Sequence, residues 1–340
     1  MSITVAKSAG FCFGVNRAIN IVNSLLDKNV KVSTLGPIIH NMEVVNELES
    51  RGCKAVENID EVEKDATLVI RSHGVPKYVI DKLDENGVKY EDATCPFVKK
   101  IHNIVANPDN KDGIVLIAGN SVHPEVEGII GHCSTECHTF KNSEEIDEIY
   151  NIVLKKNNKQ VFVVAQTTFD TKEWKKCVKK IKKLCTNAKI FDTICNATSV
   201  RQTEADLLAA QSDFMVVIGD RHSSNTGKLF DICKRQCDNT VLIETADELD
   251  ALQVSVAEKI GVMRNNPFAG GERFDSYLKL CDFELTNNIP YEKKAISSDD
   301  IFDYVINIRR INHGLYNRRS EVVKEYIDSK YRPAREITDY

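Results

Sequence analysis

The sequence predicts an α/β protein built from three similar small units arranged around a pseudo-threefold axis. Three observations lead to this prediction. Apolar, β-branched runs of strand length alternate with helical patterns, which is typical of parallel α/β units. Two kinds of polar segment follow these strands, and each kind occurs three times. An acidic residue and a cysteine, Asp92 and Cys95, recur one hundred residues later as Asp192 and Cys195.

The elements can be located in order along the chain. Apolar residues at helical spacing predict a helix from Val15 to Leu26, and Pro96 marks the first turn of another helix directly after Cys95. The clearest strands are Thr67–Ile70, Ile114–Ile117, Val161–Val164 and Phe214–Ile218.

The segments that follow the strands carry most of the polar residues of interest. The first kind starts with glycine and comprises Gly36–Asn41, Gly119–Glu125 and Gly219–Asn225. The second kind comprises Arg71–Gly74, Ala165–Thr168 and, less clearly, Met263–Pro267. Ligands of open α/β sheets bind beyond the carboxyl ends of the strands, so we expect these segments to converge on one central site.

Length and composition limit the possible classes of protein. The chain has 340 residues, of which 42% are hydrophobic and 28% charged, and this size predicts more than one domain. We expect units at residues 1–96, 97–195 and 196–290, followed by a charged extension at 291–340. The net charge of −5 comes without a basic stripe, which argues against a nucleic-acid partner. With no signal-like start and no apolar run near the roughly 20 residues that span a bilayer, we expect a cytoplasmic protein without membrane contact.

The cysteines predict a metal centre rather than disulfides. Their number, eleven, is odd and high, which fits reduced thiols better than a secreted disulfide framework. Cys12, Cys95 and Cys195 are the best candidates for an iron-sulfur cluster, because soft thiolates suit iron. Buried structural cysteines are the alternative for each of them. Cys133 and Cys137, flanked by two histidines, could be drawn as a zinc site, but packing is the favoured interpretation.

The strand-end segments also carry candidates for anion binding and proton transfer. A phosphate cradle is predicted from imidazole, hydroxyl and amide groups at His40, His73, His123, Ser223, Ser224 and Asn225. Glu125 is placed to act as a general acid, although a glutamate at a helix start can also simply complement the helix dipole. Thr167 and Thr168 could relay a proton or bind a substrate hydroxyl.

Together these motifs resemble one known family over roughly residues 3 to 262. The motifs are Ala9–Val15, Gly36–Asn41, Arg71–Val75, Asp92–Pro96, His123–Gly128, Gln166–Thr168, Thr193–Cys195, Arg201–Gln202 and Ser223–Asn225. They are similar to those of the 4-hydroxy-3-methylbut-2-enyl diphosphate reductases, the IspH or LytB enzymes of the non-mevalonate isoprenoid pathway.

The resemblance implies three α/β domains around a central 4Fe-4S cluster held by Cys12, Cys95 and Cys195, with the fourth iron open to the substrate hydroxyl. It implies that the predicted cradle binds the diphosphate and that Glu125, with Thr167, supplies protons. The implied reaction uses two electrons and two protons to give isopentenyl and dimethylallyl diphosphates. The electrons are expected from an external ferredoxin or flavodoxin type of carrier, because the chain has no flavin or nicotinamide signature.

The chain departs from the family pattern at three places. Met263–Phe268 replaces a small-residue segment whose serine contacts the diphosphate, Asn196 replaces a frequent tyrosine, and His222 replaces a frequent asparagine. Two alternatives therefore stay open at this point. One is a related reductase that removes a hydroxyl from a different phosphate or acid. The other is a non-enzymatic redox sensor based on the same cluster.

Overall fold

The computed structural model describes residues 2–106, 112–156, 159–244, 248–249, 254 and 257–264, except the side chains of residues 43 and 156. All of them belong to one compact unit. The predicted extension at 291–340, the end of the third predicted unit and residues 265–268 of the altered segment lie outside the described residues.

The described residues form three four-stranded parallel sheets, which confirms the predicted fold class. The strands are β1 Ser2–Val5, β2 Val32–Leu35, β3 Cys53–Val56, β4 Thr67–Ile70, β5 Tyr90–Asp92, β6 Ile114–Ala118, β7 Glu136–Phe140, β8 Val161–Ala165, β9 Ala188–Ile190, β10 Phe214–Ile218, β11 Thr240–Ile243 and β12 Lys259–Arg264. Their orders are β3-β2-β4-β5, β7-β6-β8-β9 and β11-β10-β12-β1. The four strands predicted most clearly from the sequence are all present.

The three sheets share one topology, and the start of the chain completes the third. In the first two sheets the strands follow one another along the chain, and the last of them lies at one edge. In the third sheet this edge position is taken by β1, which pairs with β12 in parallel from Ser2 opposite Lys259 to Val5 opposite Val262. Residues 2–5 therefore lie in the sheet of the third unit and not in that of the first, where the sequence places them. The other predicted unit boundaries stay predictions.

Helices connect the strands and cover the sheets. They are α1 Phe13–Leu26, α2 Met42–Ser50, α3 Lys77–Glu85, α4 Pro96–Val105, α5 Pro124–His132, α6 Glu145–Ile152, α7 Thr171–Leu184, α8 Asn196–Ala209 and α9 Ser224–Gln236. The predicted helix at 15–26 is present with two more residues at its start, and α4 begins at Pro96 as predicted. Among the described residues no helix is long and apolar enough to cross a bilayer.

The second sheet shows how both faces of a sheet become buried. Leu116 and Val163 pack into one apolar cluster with Trp174 of α7, while their strand neighbours belong to a separate cluster with Ile101 of α4. Successive side chains of a strand point to opposite faces, so a continuous apolar run fills two cores. Because both faces of the sheet are covered, the carboxyl ends of the strands are the edge at which polar residues can lie together.

Candidate active site

Three thiols lie at the amino ends of three equivalent helices. Cys12, Cys95 and Cys195 are the residues directly before α1, α4 and α8, and each follows the edge strand of its sheet. Cys12 looks isolated in the sequence only because its strand, β1, completes the third sheet. The cysteines therefore occupy the same position in all three units, which the repeat predicted for two of them.

A glycine allows two of these thiols to come together. A Cβ atom on Gly14 would lie 2.6 Å from Cys95 Sγ and 4.0 Å from Cys12 Sγ, so a side chain at this position would displace the Cys95 thiol. Burial raises the pKa of the Cys95 thiol, and the neighbouring Cys12 and Cys195 raise it further. Three neighbouring thiols are suited to a metal centre, which stabilises thiolates together with the positive ends of helix dipoles.

A buried arginine lies beside the same thiols. The Arg201 side chain, in the second turn of α8, donates a 3.0 Å hydrogen bond to the Ser8 carbonyl oxygen and another hydrogen bond to the Gly10 carbonyl oxygen. Its charge interacts with Cys12 and Cys195, although burial lowers the pKa of the guanidinium. The arginine thus fixes the loop before Cys12 and places a cation next to the thiols.

Three histidines meet at the other end of the site. The ring centroids of His40 and His73 are 4.9 Å apart, those of His73 and His123 are 5.6 Å apart, and those of His40 and His123 are 6.3 Å apart. The Glu125 N–H donates to His123 Nδ1 at 3.1 Å, so the neutral His123 ring carries its proton on Nε2. Buried nitrogens of all three rings, His40 Nε2, His73 Nδ1 and His123 Nε2, have no hydrogen-bond partner among the described residues.

The electrostatics of this histidine cluster come from burial, from Arg71 and, at His40, from the opposing charge of Asp220. Burial lowers the pKa of His40, lowers that of His123 to about 4, and lowers that of His73 well below its usual value. The charge of the half-buried Arg71 acts in the same direction on all three rings. The nitrogens are close enough to hold a metal ion. A nearby guanidinium opposes a dication, however, whereas an anion would satisfy the unpaired buried groups.

A carboxyl group with a raised pKa lies between the histidines and a cysteine. Glu125 is 2% exposed, and it accepts hydrogen bonds of 2.6 Å from the Thr167 N–H and 2.7 Å from the Thr167 hydroxyl. Burial raises the pKa of Glu125 to about 7, despite the opposing effect of these hydrogen bonds. The Thr167 carbonyl accepts the Cys195 N–H at 3.0 Å. Hydrogen bonds through Thr167 therefore connect Glu125 to the backbone of Cys195. The pKa of Glu125 suits a proton donor near neutral pH.

The third unit supplies hydroxyl groups at the start of α9. Ser223 is the residue before this helix, and its side chain accepts a hydrogen bond from the Thr226 N–H. The Ser224 hydroxyl lies 3.0 Å from the Thr168 hydroxyl and accepts a 3.2 Å hydrogen bond from the Gln166 amide. The helix start therefore joins the second unit and offers N–H and hydroxyl donors, which is the usual setting for a bound phosphate group.

Most of these groups line one central chamber, with Arg71 and Gln166 outside its lining. It contains every site residue predicted from the sequence: Cys12, Cys95, Cys195, His40, His73, His123, Glu125, Thr167, Ser223, Ser224 and Asn225. We call the cysteine side of this chamber the thiol end and the side with the three imidazoles the histidine end. Their convergence agrees with the expectation that strand-end segments meet, while the role of each residue stays a proposal.

Three further residues, for which the sequence predicts no role, also lie at the site. Arg71 places a half-buried cation beside the histidines, Arg201 places a buried cation beside the thiols, and Gln166 links the second unit to α9. Two of them could have been found by their position in the sequence, because Arg71 and Gln166 each follow directly after a buried strand.

The zinc interpretation of Cys133 and Cys137 gains no support. The two thiols share a hydrogen bond with each other. The His132 ring stacks on His102 with centroids 4.0 Å apart, and His138 Nε2 lies 2.9 Å from a Glu136 carboxylate oxygen. Within the described part of the chain, Cys133 and Cys137 belong to no group of three histidines, cysteines and carboxylates whose donor atoms all lie within 4.8 Å of one another. The flanking histidines therefore serve packing and surface pairing.

The fold and the chamber define a class of α/β protein in which three cysteines, three histidines and a buried carboxyl group line one central cavity. A family model described as LytB protein matches residues 3–265. The chain belongs to the LytB family.

Curated relatives and solved structures agree with this family. A 4-hydroxy-3-methylbut-2-enyl diphosphate reductase from Thermoanaerobacter sp. (strain X514) is 42% identical over 266 residues, which cover 77% of this chain and 90% of that relative. A reductase of the same name from Clostridium tetani (strain Massachusetts / E88) is 38% identical over 308 residues, which cover 88% of this chain but only 46% of that longer relative. The structure of the corresponding reductase from Plasmodium falciparum has a TM-score of 0.74 and 28% identity, and covers 82% of this chain and 87% of its own.

Proposed function

We propose that the chain is a reductase that removes the allylic hydroxyl of 4-hydroxy-3-methylbut-2-enyl diphosphate and releases isopentenyl and dimethylallyl diphosphates. The observation that carries this proposal is the single chamber in which three thiols, a buried acid of raised pKa and an imidazole cradle converge. The names of the relatives from Thermoanaerobacter sp. and Clostridium tetani support the choice of substrate.

A 4Fe-4S cluster held by Cys12, Cys95 and Cys195 would occupy the thiol end. The fit rests on three equivalent helix starts that aim thiols at one point, and on Gly14, which leaves room for the Cys95 thiol. When bound, such a cluster supplies electrons and an iron that acts as a Lewis acid toward the substrate hydroxyl. Arg201 would hold the loop before Cys12 and balance part of the negative charge.

The histidine end and α9 would bind the diphosphate. Donors are available from His40, His73, His123, Ser223, Ser224 and Asn225. The unpaired buried nitrogens of the three rings give a reason for this assignment, because a bound anion would end the cost of leaving them without partners. The Arg71 charge, held close to all three rings, adds long-range attraction for a diphosphate.

Glu125 would donate the proton that makes the hydroxyl a good leaving group. The C–O bond breaks, the hydroxyl oxygen takes this proton and leaves as water, and two electrons with a second proton form the new C–H bond. Thr167 orients the carboxyl group through two hydrogen bonds and connects it to the backbone of Cys195. A carboxyl group with a pKa of about 7 is half protonated near neutral pH and can be reprotonated after each turnover.

The electrons would come from an external acidic carrier of the ferredoxin or flavodoxin type, since no nucleotide or flavin motif is found in the sequence. A reducing compartment such as the cytoplasm suits the ten cysteines that the described residues hold as free thiols.

The test is an anaerobic turnover assay. Iron and acid-labile sulfide are counted first, so that only fully loaded protein is used, and oxidation of a reduced viologen dye is then followed after addition of the allylic diphosphate. We expect rapid dye oxidation with isopentenyl and dimethylallyl diphosphates as products. A fully loaded protein that leaves both dye and substrate unchanged would overturn the assigned reaction.

A further inference from the structure

A shallow surface groove runs beside the thiol end, between α1 and α4. Its first part is lined by Phe13, Arg17, Lys28 and Glu91 together with Ile21, Leu25 and small polar residues of α1. Its second part shares Arg17 and continues over Asp92, Thr94, Pro96, Lys99, Lys100 and Asn103. None of the groove residues has a role in the reaction proposed above.

Three groove residues are direct sequence neighbours of two of the three predicted cluster ligands. Phe13 follows Cys12, and Thr94 and Pro96 stand on either side of Cys95. Arg17 fixes the floor of the groove, because its guanidinium donates to the carbonyl oxygens of Asp92 at 3.1 Å and Thr94 at 3.2 Å. A partner that lies in the second part of this groove would therefore contact the residues on either side of Cys95.

Two large exposed aromatic side chains follow these cysteines, Phe13 in the groove and Phe97 outside its lining. Phe13 is 63% exposed at the groove, and Phe97, two residues after Cys95, is 44% exposed and also lines the chamber. Exposed phenylalanines cost hydration free energy, and aromatic side chains are enriched in the buried centres of protein interfaces. Phe97 in particular connects the protein surface with the thiol end.

The charge of the groove is opposite to that of the whole chain. Four cations line it, Arg17, Lys28, Lys99 and Lys100, against two carboxylates. One of these carboxylates, Asp92, is engaged by Lys99 at 2.6 Å. The chain as a whole has a net charge of −5, so this positive surface is local. Positive patches of this kind steer negatively charged partners and set their orientation.

We propose that this groove is the docking surface for an acidic one-electron carrier protein, and that electrons enter the chain beside Cys12 and Cys95. The proposal rests on the proposed function in one respect, namely that a redox centre is present at the thiol end. Cations at the rim would attract the carrier, and Phe13 and Phe97 would bring its redox group against the loops of the two cysteines.

Among the described residues, a second basic surface that could attract an acidic partner is α7, which carries seven lysines. Lys175 and Lys179 are exposed on this helix, whereas its opposite face is buried through Trp174, Cys177 and Ile181. This helix has more positive charge than the groove, but none of its residues adjoins a predicted cluster ligand. The two surfaces therefore separate simple charge attraction from docking at the redox centre.

The experiment compares two matched charge reversals in the loaded protein. K28E/K100E changes the groove and K175E/K179E changes α7 by the same charge. Reduced flavodoxin, as an acidic carrier, is mixed with each protein in a stopped-flow instrument without substrate, and its reoxidation rate is measured. We expect K28E/K100E to slow this second-order step at least about tenfold at low salt, with little effect of K175E/K179E.

A dye control separates this proposal from the proposed function. Dye-driven reduction of the cluster should be equal in wild type and both variants, because a small dye needs no docking surface. Equal flavodoxin rates in wild type and K28E/K100E, or slowing confined to K175E/K179E, would overturn the groove assignment. Neither readout depends on turnover of the allylic diphosphate, so a failure of the substrate assignment would be seen separately in the turnover assay.

Discussion

The two ends of the chamber are built from the same repeated unit, but only the thiol end has the same residue type at the equivalent position of every unit. At the thiol end, each unit places a cysteine at the same point, after the edge strand and before a helix. At the histidine end, the equivalent helix starts carry Asn41, His123 and Ser223, three different side chains. The common topology thus explains why the groups meet, and the differences between the units give the histidine end three different groups that could contact an asymmetric ligand.

The largest effect is expected from breaking the symmetric end. Cys195→Ser removes one of three equivalent thiols, and we expect loss of the cluster and of all measurable turnover, beyond the roughly 10–100-fold cost of losing an outer-shell partner. Iron and sulfide content of anaerobically prepared protein measures this. Cys137→Ser, outside the chamber, is the control and should keep full cluster content. Retention of a stable cluster in Cys195→Ser would refute the ligand assignment.

Glu125→Gln tests the group between the two ends. The amide keeps the size of the side chain but cannot donate an acidic proton, so turnover should fall about 10²- to 10⁴-fold while cluster content stays normal. The dye-linked rate provides the measurement. Glu127→Gln serves as the control, because this residue lies on the same helix and is exposed. Equal rates in the two variants would exclude Glu125 as the acid.

His40→Asn tests the asymmetric end. Loss of one buried imidazole should weaken binding of inorganic diphosphate about 10- to 100-fold, as expected for a hydrogen bond to a charged group, with the cluster unchanged. Calorimetric titration with diphosphate measures the affinity. His138→Asn, which changes a histidine paired with Glu136 away from the chamber, should bind as wild type does. Unchanged affinity in His40→Asn would remove this residue from the cradle.

The pH dependence of turnover should follow Glu125. Burial raises its pKa to about 7, and the acid form is the active one, so the rate should be constant below that pH and fall about tenfold per pH unit above it. Burial lowers the pKa of all three imidazoles, so they do not produce this upper limb. A rate of the wild-type protein that rises from pH 7 to pH 8 would contradict the assignment.

The smallest effect concerns the support of the histidine end. Gly74 has a φ of +74°, and a Cβ there would lie 2.7 Å from His102 Cε1, whereas Gly87 has a φ of +63° with no atom within 4 Å. Gly87→Ala should cost about 1–2 kcal/mol from left-handed backbone strain alone. Gly74→Ala should cost about 1–3 kcal/mol more from overpacking. Thermal unfolding midpoints of the two variants are compared. Equal shifts would show that the His102 side chain moves aside without a cost in free energy of unfolding.

Much of this arrangement could be predicted because it depends on local patterns. Apolar runs located the strands, and the residues directly after them located the chamber, since parallel strands end at the same edge of a sheet. The position of β1 could not be predicted in this way. It pairs with Lys259–Arg264, near the other end of the described chain, and a short alternating segment such as Ser2–Val5 does not specify its partner strand.

The buried cations were missed for a different reason. The sequence shows that Arg71 and Arg201 are arginines, but not that their side chains lie beside the imidazoles and the thiols. Burial of a charge depends on packing between units that are distant in sequence. The pKa of Glu125 is hidden in the same way, because burial raises it while the Thr167 hydrogen bonds oppose the rise, and neither effect can be read from the sequence.

The central claim is that both ends of the chamber serve one ligand, and Mössbauer spectroscopy of the iron in fully loaded protein tests it most directly. Spectra are compared for the protein alone, with inorganic diphosphate, and with the allylic diphosphate. We predict that the allylic diphosphate changes the spectrum, whereas inorganic diphosphate competes for the same site and leaves it unchanged. If the allylic diphosphate binds competitively with inorganic diphosphate and also leaves the spectrum unchanged, the two ends do not act on the same molecule.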